Sequence, residues 1–158
     1  MELLSPQFTQ IILVLAFVIP AILFVTTQYK TLKTIQPKNR RTSPWIVWLQ
    51  FIPILNFIWQ FVVVSKISGS IKDEFAARAD ESSLSLPSAE VVAQLGKRPT
   101  LYIGLAYCIL ITPPFLMNFF MLNPPIYGVP IMELAGITCW IIYWVNLAKY
   151  KRILKRNM

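Results

Sequence analysis

The chain has 158 residues, 56% hydrophobic and 14% charged, with fifteen Lys and Arg against seven Asp and Glu for a net charge of +8. A mean hydropathy of +0.57 is too apolar for one soluble core and places the chain among integral membrane proteins. With no histidine and only Cys108 and Cys139, both inside apolar runs, zinc sites, paired-histidine haem and a disulfide-stapled fold have nothing to build on, and no cofactor is expected.

The N-terminus, MELLSPQFTQ, has no Lys or Arg ahead of its apolar run, and FVTTQYK offers no small-x-small cleavage site. Residues 8–27 therefore read as a retained transmembrane helix and not as a cleaved signal. Residues 101–122 and 129–147 are two further runs near the ~20 residues that cross ~30 Å of hydrocarbon. YKTLKTIQPKNRR spaces Tyr29, Leu32 and Ile35 three apart, with lysines on other faces until Pro37, the pattern of a short amphipathic interfacial helix.

Residues 44–65, in SPWIVWLQFIPILNFIWQFVVVSK, are long enough to span but broken at the centre. Ser43 before Pro44 reads as an N-cap with proline at the first helical position. Pro53 pushes Ile52 out of helical geometry and ends that arm, and Asn56 is a good N-cap for a second arm. Two arms of about nine residues, each ~14 Å long, are too short to span separately. Gln50 and Gln60 lie at nearly equal depth from the apex, so their amides are expected to bond each other where lipid offers no partner. Trp45, Trp48 and Trp59 are expected toward the cytoplasmic interface.

Charge discriminates between a re-entrant hairpin and a kinked span. The fifteen basic residues form three groups of five, ending with Lys149, Lys151, Arg152, Lys155 and Arg156. If residues 44–65 cross, the groups divide ten to five between the two sides; if they dip and return with the N-terminus outside, all fifteen are cytoplasmic. The sequence thus predicts an all-α membrane fold of three transmembrane helices plus a re-entrant hairpin, with four transmembrane helices as the alternative. Grouping beside spans also suits anionic lipid headgroups, with Lys38, Arg40, Arg41 and the tail of residues 148–158 as candidates, and does not suit nucleic acid.

Residues 66–100 read as a cytoplasmic amphipathic segment: Val64, Ile67, Ile71 and Phe75 share one face, and the helix is expected to lie on the membrane surface or against a partner. Ser88 is expected to cap a short helix over 89–95 that ends at Gly96. The short NPPIYGVP turn makes the last two runs an antiparallel pair, in which Cys108 and Cys139 share a depth and Gly104 and Ala135, four residues earlier in each, complete small-xxx-small faces.

Little catalytic chemistry is present. Glu133 is the only acid in the last two runs, and with Thr112 and Asn118 it forms a candidate polar pocket, although a first-turn acid after Pro130 near the outer interface explains it more simply. Asp73 and Glu74 follow a dipping hairpin, as in the single-dip phosphoglycosyl transferases, which the chain resembles at those two residues alone. That family needs a substantial cytosolic domain, which the short segment before the next run does not supply, so the pair reads as part of a solvated helix face. Over residues 32–75, the Pro, Asn-Arg, Pro, Trp-Leu, Ile-Pro, Asn and Trp positions resemble a block in an uncharacterised family of small bacterial multi-span membrane proteins. That resemblance implies a bacterial inner-membrane location and a hairpin, not a chemistry. The expectation is a non-enzymatic accessory or scaffold subunit, or a protein that engages the lipid surface. Its expected partners are the bilayer, anionic headgroups and either another membrane protein or a second copy. A transport or proton-handling subunit built around Glu133 is the alternative.

Overall fold

The computed structural model describes residues 6–81, 97–120 and 128–156, all in helices or short connections. In chain order these are α1 (Pro6–Thr34), 3-10 helices at Pro37–Asn39 and Pro44–Phe51, α2 (Pro53–Glu81), α3 (Leu101–Phe119) and α4 (Gly128–Arg156). Three helices, over Phe8–Thr34, Pro53–Asp80 and Val129–Arg156, are long and apolar enough to cross a membrane, and Leu101–Met117 is a shorter apolar helix. The run expected over 101–122 is thus described as helix only to Phe119, with Pro113 and Pro114 inside it.

α1 carries no break at Tyr29. Residues 28–34 continue the helix, and Gln28, Thr31, Leu32 and Ile35 are fully buried, so the face expected on the membrane surface packs into the protein instead. The N-terminal half of α1 exposes Phe8, Ile11, Leu15, Phe17 and Ile19, a surface suited to hydrocarbon.

The segment 44–65 is not one continuous helix. Pro44–Phe51 is a 3-10 helix, Ile52 is extended (φ −84°, ψ 111°), and the chain reverses into α2. The indole N–H of Trp59 donates to the Ile46 carbonyl at 2.8 Å, and the Arg41 N–H donates to Ser70 Oγ at 2.8 Å, so the two arms run side by side. Several details differ from expectation. The first arm is 3-10, and Ser43 sits at its cap position without a side-chain cap bond. α2 starts at Pro53, whose fixed φ suits the first helical position and whose missing N–H costs nothing there. Asn56 is therefore not the cap but lies in the first turn, its N–H bonded to Ile52 O at 2.8 Å.

The return arm also runs straight into the segment expected to be separate, giving one helix of 29 residues. Fifteen residues separate Pro53 from Ser68, whose hydroxyl donates to Pro99 O at 2.7 Å, so the helix from the reversal to that contact is ~22 Å long, against the ~14 Å expected for one arm. Val64, Ile67, Ile71 and Phe75 are fully buried on one face as expected, and what they meet belongs to this chain: the Phe75 ring packs edge-on to Tyr150 of α4 at 6.2 Å.

The five long segments close into a ring. α1 packs on α4, α4 on α3, α3 on α2, α2 on the 3-10 helix Pro44–Phe51, and that helix on α1. An aromatic cluster fills the centre, with Phe24 5.4–6.1 Å from Tyr107, Trp140, Tyr143 and Trp144. α3 and α4 are antiparallel: a Cβ on Gly104 would meet Tyr143, and one on Gly136 would meet Ile111, a register that levels Cys108 with Cys139. The close-packing glycine of α4 is Gly136, one residue beyond Ala135. The cap expected at Ser88 and the helix over 89–95 lie outside the described residues.

Thr100, at the entry to α3, has φ of +68°, where a β-branched residue is strained, and its buried hydroxyl has no partner among the described residues. Thr100→Gly removes both costs and is expected to stabilise the protein by about 1 kcal/mol, read as a higher midpoint in thermal unfolding in mild detergent.

Candidate functional site

The loop between α1 and the hairpin is tied to α2 by charge. Glu74, one turn beyond Ser70, is fully buried, and both of its oxygens are occupied. Oε2 accepts the Gln36 N–H at 3.1 Å and Asn39 Nδ2 at 2.7 Å, while Oε1 accepts Arg78 Nε and Nη2 at 2.9 and 2.8 Å. Arg78 Nη1 continues to the Leu154 carbonyl at 2.8 Å, so one carboxylate joins the α1 exit, α2 and the end of α4. Reading Glu74 as part of a solvated face is thereby overturned. Its neighbour Asp73 is partly exposed and holds Arg41 in a two-pronged pair at 2.6 and 2.9 Å. That bond raises the Arg41 pKa further above its ordinary value, so the guanidinium stays charged.

Arg40 turns the other way. Its Nε donates to Ile35 O at 2.7 Å and its Nη2 to Lys33 O at 2.9 Å, capping carbonyls at the end of α1 that no helical N–H reaches. Arg40 and Arg41 are therefore not loose charges. Gly69 makes room for Arg41, since a Cβ there would stand 2.6–2.9 Å from the Arg41 Cδ, Nε and Cζ atoms. Gly69→Ala is expected to push Arg41 off Asp73 and lower stability by about 1 kcal/mol, an effect that should shrink in an Asp73→Asn background.

Above this node lies an open basin of about 350 Å³, lined by Pro37, Arg40, Arg41, Thr42, Ser43 and Pro44. Beside it Trp45 is 70% exposed and packs edge-on to Tyr29 at 5.8 Å, and the Lys33 ammonium lies 6.0 Å from the Tyr29 ring centre.

All fifteen basic residues gather at this end of the ring. Lys151 lies within range of the charge on Lys30, Arg78 reaches Leu154, and Ser68 bonds Pro99. Lys33, Lys38, Lys66, Lys72, Lys97 and Arg98 lie within about two turns of those contacts along the chain. The tail is no separate segment: Lys149, Lys151, Arg152, Lys155 and Arg156 occupy the last turns of α4, with all but Lys151 exposed.

The expected Gln50–Gln60 pair does not form. Gln50 Nε2 donates to Gln28 Oε1 at 2.5 Å and to Val47 O at 2.9 Å, while Gln60 Nε2 donates to Thr112 Oγ1 at 2.6 Å, because each arm faces a different neighbour across the ring. Gln28 and Tyr143, fully buried at the centre, face one another, and Gln28 Nε2 and the Tyr143 hydroxyl have no other partner among the described residues. The candidate polar pocket is described only in part. The Thr112 hydroxyl bonds Gln60 and the Cys108 carbonyl, Glu133 lies on the exposed side of α4, and the Asn118 side chain is outside the described residues. Among the described residues no three His, Cys, Asp or Glu side chains gather as a metal site.

Chain, register and charge thus define an all-helical protein with three helices long and apolar enough to cross a membrane and one strongly basic end. Comparison with protein-family models, curated proteins and solved structures yields no match in any of the three.

Proposed function

We propose that this protein is a small, non-enzymatic integral membrane protein of a bacterial inner membrane that presents one basic face to the anionic cytoplasmic leaflet and scaffolds there. Its N-terminus lies outside and its C-terminus in the cytoplasm, and residues 44–65 belong to a hairpin that enters and returns. The observation that carries this reading is the collection of all fifteen Lys and Arg at one end of the ring. The reversal at Ile52 and Pro53 causes it, because a straight crossing would send five of them to the other side. A fixed surface potential of one sign attracts acidic lipid at roughly 1 kcal/mol per basic residue near the surface.

The test is accessibility. Ser43→Cys and Lys97→Cys, each in a chain with Cys108 and Cys139 changed to alanine, are expected to react with an impermeant maleimide from the same face of sealed vesicles. Labelling from opposite faces overturns the hairpin, divides the basic residues and removes the reading with them.

A further inference from the structure

We propose that the basin between Pro37 and Pro44 is a phosphate-binding site at the leaflet surface, shaped for the phosphate of an anionic lipid. The inference rests on the reading of the basic end as lipid-facing and narrows it to one place and one chemical group.

Both arginines on the basin wall are held from behind. Arg41 gives Nε and Nη2 to Asp73, and Arg40 gives Nε and Nη2 to backbone carbonyls, so each guanidinium is fixed along one edge. Neither Nη1 has a partner among the described residues. A planar cation already anchored loses little freedom when its remaining edge meets a phosphate oxygen, which is the arrangement that favours Arg over Lys for phosphate. Thr42 and Ser43 add hydroxyls, and Ser43, exposed and without a cap bond, is available to donate.

Charge agrees with the geometry. Lys33, Arg40 and Arg41 stand around the loop against the partly exposed carboxylate of Asp73, three positive charges to one negative, while Glu74 is matched by Arg78 in the interior. An apolar strip gives the ligand its second half. Next to the basin along the chain the hairpin exposes Trp45, Phe51, Ile52 and Ile54, apolar surface on which a molecule with its phosphate in the basin can lay acyl chain. An exposed indole beside a cationic site is the usual neighbour of a headgroup region. A soluble phosphate would use the lower half alone.

The experiment uses the full chain in mild detergent, titrated by native mass spectrometry with phosphatidylglycerol and with phosphatidylcholine of the same chains. Inorganic phosphate serves as a competitor. The unmodified chain is expected to bind phosphatidylglycerol about tenfold tighter than phosphatidylcholine. Ser43→Asp, which puts a carboxylate into the basin without touching either arginine lock, is expected to weaken phosphatidylglycerol binding by about tenfold, and Ser43→Lys is expected not to weaken it. A folding defect would affect both. Displacement of the lipid by millimolar inorganic phosphate identifies phosphate alone as a sufficient ligand, and its failure to displace identifies the lipid; either result supports the site. Equal weakening by Ser43→Asp and by Lys155→Gln on α4, each a loss of one unit of charge, overturns the basin while leaving the lipid-facing reading intact. A chain with no preference for phosphatidylglycerol overturns the lipid-facing reading itself.

Discussion

Glu74→Ala is expected to destabilise the protein by about 3–5 kcal/mol, because it strands a half of a buried ion pair. The Arg78 side chain is only 10% exposed and Glu74 not at all, so the orphaned guanidinium can recover few of its lost bonds from water. The Gln36 N–H and Asn39 Nδ2 lose their acceptor in the same stroke. The effect should appear as a lower thermal midpoint in mild detergent and as faster proteolysis between residues 35 and 43. Arg78→Ala in the Glu74→Ala background should cost less than the sum of the two single changes, since the second removes the charge that the first exposed. Additivity of the two losses would mean that the pair does not act as a unit. Asp73→Ala is the control: its partner Arg41 is partly exposed, water can replace the lost contact, and the loss should stay near 1 kcal/mol or below.

Gly104 carries the second large effect. A Cβ at this position would stand 2.5 Å from Val64 Cγ1 of α2 and 2.9 and 3.1 Å from the Tyr143 ring of α4, so two helices close on α3 at one point. Tyr143 has little room to retreat, because its ring is stacked on Tyr107 at 5.5 Å and meets Phe24 at 5.8 Å. Gly104→Ala is expected to cost about 1–3 kcal/mol, and Gly104→Leu more, measured as the fraction folded across an SDS titration. Val64→Ala in the Gly104→Ala background removes the closest clash and should recover a measurable part of the loss. No recovery would place the strain on the tyrosine side alone.

Much of this architecture is written locally. The break before Pro53 follows from a proline acting on its predecessor, and the shared face of Val64, Ile67, Ile71 and Phe75 follows from a period of 3.6 residues. The membrane character of the apolar runs needs only composition and length. Where the sequence misled, the deciding partner was distant along the chain. Asn56 has the chemistry of a cap, but Pro53 three residues earlier already fits the first helical position and wins. Gln50 and Gln60 are symmetric about the apex, yet α1 offers Gln28 to one and α3 offers Thr112 to the other. Arg40 and Arg41 are adjacent in sequence and bind in opposite directions, one to the end of α1 and one to α2.

The sequence by itself determined that the chain is helical and apolar enough for a membrane, where its hairpin breaks, and that its positive charge lies in groups beside the apolar runs. Only the tertiary structure decided that Glu74 is an interior hub, that the segment after the hairpin packs against α4 and not on a surface, and that two arginines frame one basin. The physical reason is that periodicity, capping and proline act within a few residues. The burial of a charge, by contrast, is settled by whichever group arrives from elsewhere in the chain to satisfy it, here Gln36 and Asn39, more than thirty residues from Glu74.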